Sequence, residues 1–196
     1  ITALGSRYGL QVVLVNDGST DGTHGECGRL AEAHPHVVTY VRLARNFGEH
    51  NAVMAGLHRA EGEYIVVMDD DFQNRPEDAA RLVEEARAGD FDIVYSRYPT
   101  RRHGMLRVLG SKFNGWVANF MIDKPTDLYL SSFKCMRLWL VREILSYEGP
   151  FPYLDGLALR CTRNIGRVTV EQDERAAGAS GYTSRKLVRL WGNMFV

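Results

Sequence analysis

Four short runs rich in β-branched and aromatic residues punctuate the first half of the chain: Val12-Val13-Leu14-Val15, Val37-Val38-Thr39-Tyr40-Val41, Tyr64-Ile65-Val66-Val67-Met68 and residues 91–95. The segments between them are long enough for helices. Strands joined through helices cannot close hairpins, and right-handed crossovers lay them parallel in one sheet with helices on both faces. The spacers carry matching signals. Thr20 or Asp21 is placed to cap a helix running to about Ala33. Residues 50–60 set Ala52, Val53, Ala55, Gly56, Leu57 and Ala60 at helical spacing. Pro76 suits a first helical position, Glu77 and Asp78 suit its positive end, and Leu82, Val83 and Ala86 form its apolar face.

The later part is less regular. It reads as a basic loop, a helix over about residues 105–121, a strand over 131–136, further helix and a strand over 168–170. The chain opens on Ile1-Thr2-Ala3-Leu4-Gly5, which looks like the tail of a helix. The expected fold is therefore a mainly parallel α/β sheet that lacks its first strand, in a single domain over 1–196 truncated at its N-terminus.

Acidic turns follow two of the strands. Asn16-Asp17-Gly18-Ser19-Thr20-Asp21-Gly22 leaves the first, and Asp69-Asp70-Asp71-Phe72-Gln73 leaves the third. Open α/β sheets bind ligands at such strand ends. Three carboxylates and an amide oxygen crowded together repel one another, and a hard divalent cation with oxygen ligands relieves that repulsion. The reading is a site for a metal and a diphosphate.

Charge sharpens it. The 196 residues carry 24 basic and 24 acidic side chains, a formal net charge of zero, which argues against a general nucleic-acid binder. Yet Arg97, Arg101, Arg102, Arg107 and Lys112 succeed one another with no acid among them. Guanidinium forks suit phosphate oxygens. From Arg175 onward every charge is positive, and Leu187, Leu190, Trp191 and Met194 share a helical stripe, so residues 183–196 read as an amphipathic helix suited to an anionic membrane surface. A membrane anchor is expected beyond it, although no stretch here is long enough to span a bilayer and no leader opens the chain. Cys27, Cys135 and Cys161 form neither a disulfide framework nor a zinc array.

In order and spacing these motifs, with Arg45-Asn46-Phe47-Gly48, Ala60-Glu61-Gly62-Glu63-Tyr64, Pro76-Glu77 and Arg175-Ala176-Ala177-Gly178-Ala179-Ser180-Gly181-Tyr182, resemble family 2 glycosyltransferases. The likeness is strongest to the branch of dolichyl-phosphate mannose synthases and undecaprenyl-phosphate sugar transferases. It implies a GT-A (Rossmann-like) fold and an inverting transfer from a UDP- or GDP-sugar to a polyprenyl phosphate at the cytoplasmic membrane face. By the same resemblance Asp17, Gly18, Ser19, Asp69, Asp70 and Arg97 would hold the donor. Asp69, Asp71 and Gln73 would hold Mg²⁺ or Mn²⁺. Arg107, Lys112 and Arg175 would hold donor or acceptor phosphate, with Asp71, Asp127 and Arg107 at the reaction centre. Lys134 is a weaker phosphate candidate.

The chemistry leaves alternatives open. A phosphate acceptor is already anionic and needs no strong base, whereas a hydroxyl acceptor needs a carboxylate, for which Asp127 and Asp155 are available. A non-catalytic nucleotide-sugar binding module and a nucleotidyltransferase also fit acidic sites on α/β sheets. Ser131-Ser132 lacks the glycine-flanked elbow of a serine hydrolase.

Overall fold

A computed structural model describes residues 2–98 and 128–171. The expected helix over 105–121, the amphipathic tail over 183–196, and Arg101, Arg102, Arg107, Lys112, Asp127 and Arg175 lie outside these residues.

A short helix α1 (Thr2–Gly5) precedes β1 (Val12–Asn16), α2 (Thr23–Ala33), β2 (Val38–Arg42), α3 (Glu49–Leu57), β3 (Tyr64–Val67), α4 (Pro76–Ala88) and β4 (Ile93–Arg97). Beyond residue 127 come β5 (Lys134–Arg137), α5 (Leu138–Leu145), α6 (Leu154–Cys161) and β6 (Ile165–Thr169). The alternation read from the spacing of apolar residues is present. Boundaries shift for local reasons. The helix expected from Thr20 or Asp21 starts at Thr23, because the Asp21 carboxylate accepts from the Thr23 amide at 3.0 Å and its hydroxyl at 2.5 Å. The strand expected over 91–95 starts later, since the Phe91 amide still bonds Ala86 and Asp90 turns the chain with φ 53°. The helix expected over 50–60 closes at Leu57 in tight turns, with the Arg59 amide on Gly56 and the Ala60 amide on Leu57.

The strands form two sheets. One is β1 beside β2, parallel. The other has the order β3-β5-β4-β6, in which β4 and β6 are parallel and β5 runs antiparallel to both β3 and β4. Antiparallel β5 makes the sheet mixed, and it fixes a useful geometry. The C-terminal ends of β3, β4 and β6 share an edge with the N-terminal end of β5. Within the described residues β1 and β3 each keep one edge unpaired.

Two cores cover the two faces of the larger sheet. Successive strand residues point to opposite faces, so Ile93 and Tyr95 join Met136, Leu140, Ile144 and Leu159 under α3, α5 and α6. Val94, Phe133, Cys135 and Val168 join Leu82 and Ala86 of α4. Leu82 is fully buried, and truncating it to Ala removes packing of the order of 2–5 kcal/mol. Among the described residues no helix is long and apolar enough to cross a membrane.

Candidate active site at the carboxyl edge of the sheet

The loop leaving β3 is tied down from two sides. Asp69 stands two residues beyond the strand, and its Oδ2 accepts from the Ser132 hydroxyl at 2.7 Å. Asn74 accepts from the Tyr98 hydroxyl at 2.8 Å, so the loop is fastened to the exit of β4. Tyr98 in turn meets Tyr129 edge to face, with centroids 6.5 Å apart. Within the loop the Gln73 amide donates to Asp71 Oδ1 at 3.1 Å. Phe72 has φ 60° and is 77% exposed, a left-handed backbone that a bulky residue adopts only under constraint.

Negative charge accumulates here. Crowding by surrounding protein holds the Asp69 carboxyl above the usual carboxylate range. The charges of Glu49, Asp71 and Asp70 push the same way, and the Ser132 hydrogen bond opposes them. Asp70 also acts on Cys27 of α2, where burial first and the Asp70 charge second raise the thiol. Both acidic turns leave the C-terminal ends of their strands, β1 and β3.

Asp17 is occupied within the protein. Its Oδ1 accepts from the Phe47 amide at 2.7 Å and its Oδ2 from the Gly48 amide at 2.8 Å, while Asn46 Nδ2 donates to the Asp17 carbonyl at 3.1 Å. Gly18 has φ 74°, and a Cβ there would come within 2.5 Å of the Asn46 nitrogen. Glycine is required on both counts. Ser19 is exposed, and its amide closes a turn on Asn16 Oδ1 at 2.8 Å. Two motifs separate in sequence, residues 16–19 and 45–48, thus form one loop pair. Arg97 ends β4 as an exposed residue on the same edge as Asp69.

Lys134 and Asp155 do not face a ligand. Lys134 is 4% exposed and pairs with Asp155, itself 8% exposed, and the Asp155 carboxylate also accepts from the Tyr95 hydroxyl at 2.9 Å. A carboxylate so engaged is poorly placed as a base, and the ammonium is poorly placed for phosphate. His50 of α3 lies beside this group, edge to face with Tyr153 at 5.5 Å.

Sequence reasoning passed over Ser132, judging it only as a hydrolase nucleophile. Its hydroxyl reaches Asp69 because β5 enters antiparallel beside β3, with Val67 opposite Lys134, and no local pattern reports that pairing.

Among the described residues no three His, Cys, Asp or Glu side chains gather as a group able to hold a metal alone. The donor set is nonetheless oxygen-only and crowded with charge. That suits a cation such as Mg²⁺, which uses one or two carboxylates and takes its remaining ligands from substrate phosphates and water.

Residues 2–145 match the sequence profile described as Glycosyl transferase family 2. The chain belongs to glycosyl transferase family 2. It is similar to family 2 relatives named undecaprenyl-phosphate 4-deoxy-4-formamido-L-arabinose transferase. The one from Photorhabdus laumondii is 32% identical over 184 residues, covering 92% of this chain and 55% of that protein. The one from Klebsiella pneumoniae is 31% identical over 191 residues, covering 95% and 56%. The chain thus spans about half the length of these relatives. The fold is similar to that of glucosyl-3-phosphoglycerate synthase from Mycobacterium tuberculosis. The structure of that enzyme with Mn²⁺ and uridine-diphosphate-glucose superposes with a TM-score of 0.59 at 17% identity, covering 93% of this chain and 67% of that one. Its complex with phosphoglyceric acid gives 0.60 at 18% identity, covering 94% and 68%. The GT-A glycosyltransferase fold expected from the motifs is the fold observed.

Proposed function

We propose that the complete protein transfers a sugar, with inversion, from a UDP- or GDP-sugar to a polyprenyl phosphate at the cytoplasmic face of a membrane. The observation that carries this reading is the fastened, charge-crowded loop of Asp69, Asp70, Asp71 and Gln73 at the carboxyl edge of a family 2 sheet. The relatives' names supply the acceptor class, and the Mn²⁺ and UDP-glucose of the neighbouring structure supply the donor class.

Asp69, Asp71 and Gln73 are the residues proposed to hold Mg²⁺ or Mn²⁺. Bound there, the cation would neutralise charge developing on the departing diphosphate. Asp70 and Arg97 flank the donor phosphates in this reading. Asp17, with Gly18 and Ser19, shapes the nucleotide side by pinning residues 45–48. Arg107, Lys112 and Arg175 are assigned to donor or acceptor phosphate, and Asp127 to the acceptor side of the reaction centre. An anionic acceptor oxygen needs positioning more than deprotonation. The basic stripe over 183–196 is proposed to rest on the membrane surface. The edges of β1 and β3, unpaired among the described residues, support the proposal of a further strand between them.

The test uses the full-length protein with labelled nucleotide sugars, undecaprenyl phosphate and Mn²⁺. Label is expected in an organic-extractable, acid-labile product, and Asp71→Ala is expected to abolish it. Transfer only to a water-soluble hydroxyl acceptor would overturn the lipid-phosphate reading, and release of pyrophosphate would indicate nucleotidyl transfer instead.

A further inference from the structure

We propose that Ser132 is a positioning residue that sets the Asp69 carboxylate for its cation, an inference that rests on the metal reading of the β3 exit. Asp69 has left the strand and its ladder, so backbone pairing no longer fixes it, and Glu49, Asp70 and Asp71 all repel it. An unsupported carboxylate in that position would rotate away from the other acids. The Ser132 hydroxyl holds Oδ2 at 2.7 Å, a charge-assisted bond that restrains the carboxylate's rotation.

The serine is fixed in its turn. Ser131 beside it accepts the Ser96 hydroxyl at 2.7 Å and the Phe133 amide at 3.2 Å, in a buried contact that locks the entry to β5 onto β4. Two residues further along, at the start of β5, Lys134 is anchored to Asp155. The donor hydroxyl therefore projects from the turn into β5, between two fixed residues. Hydrogen bonds to metal-ligating carboxylates of this kind typically change metal affinity by 10–100-fold when removed. Serine supplies the contact without adding charge to a site already rich in it.

The experiment measures Mn²⁺ binding to the full-length protein in the presence of UDP, and separately GDP, from the loss of the free-ion electron paramagnetic resonance signal. Ser132→Ala is expected to weaken Mn²⁺ by about tenfold or more while the melting temperature stays near wild type. Ser132→Thr, which keeps a hydroxyl, is expected to restore the affinity. Sugar transfer by Ser132→Ala should recover toward the wild-type kcat as Mn²⁺ is raised, which a merely structural defect would not do. If the wild type binds Mn²⁺ and Ser132→Ala binds it within twofold, the role assigned to Ser132 is wrong and the metal reading stands. If the wild type takes up no Mn²⁺ with either nucleotide, the metal reading fails and this inference with it.

Discussion

One carboxylate, that of Asp17, accepts two backbone amides from a loop about thirty residues away. An asparagine offers a single oxygen, so Asp17→Asn leaves one of the Phe47 and Gly48 amides without its partner. The expected loss is roughly 1–2 kcal/mol of stability, readable as a lower denaturation midpoint in urea. His50 makes the complementary case for pH. Burial lowers its pKa; Glu49 and Asp155 oppose that and Lys134 adds to it. A histidine depressed in the folded state binds fewer protons than in the unfolded chain. Stability therefore falls as pH drops through the unfolded value of 6.5 toward the lower folded one. Melting temperature is expected to decline below about pH 6.5, and His50→Gln should flatten that decline. An unchanged slope in the variant would place the pH sensitivity elsewhere. Asp17 stood in a motif visible in the sequence and His50 at the start of an expected helix, but their partners were not visible, because each contact joins separate segments.

The most informative element is β5. The sequence marked a strand over 131–136, but not that it would enter antiparallel between β3 and β4, since pairing is set by non-local contacts. That placement buries Lys134 against Asp155 and Tyr95. Lys134→Met leaves a buried carboxylate without its cation and is expected to cost about 3–5 kcal/mol. Combining it with Asp155→Leu should recover most of that loss, because paired apolar replacements of a buried ion pair are often neutral. Chemical denaturation of the two variants checks this, and a double variant no better than the single would argue against the pair as the cause. The elements with clean 3.6- or 2-residue periodicity, α3, α4, β1 and β3, were legible to within a few residues. The β6 start was not, since Gly166 and Arg167 pair through backbone alone while the apolar signal lies at 168–170.

At the scale of the whole molecule, two half-buried apolar strands, β1 and β3, end their sheets with open edges. The Val12 amide bonds Val37 on the β2 side, so by strand alternation the amides of Val13 and Val15 face the open edge. If a preceding strand fills the space, hydrogen exchange in the full-length protein should protect Val13 and Val15 as strongly as Leu14. Fast exchange at those two amides alone would mean that the edge stays open. The alternating pattern was enough to predict the α/β class, and the resemblance of the motifs, in order and spacing, to family 2 glycosyltransferases implied the GT-A fold and the family, because both are written in local runs of sequence. The contact that holds the Asp69 carboxylate was not, since it depends on how β3 and β5 meet. The decisive measurement is anomalous diffraction at the manganese edge from crystals of the full-length protein grown with Mn²⁺ and UDP. The account predicts a peak about 2.0–2.6 Å from carboxylate oxygens of the Asp69–Asp71 loop and bridging the diphosphate. A nucleotide bound with manganese away from that loop, or with no manganese at all, would contradict it.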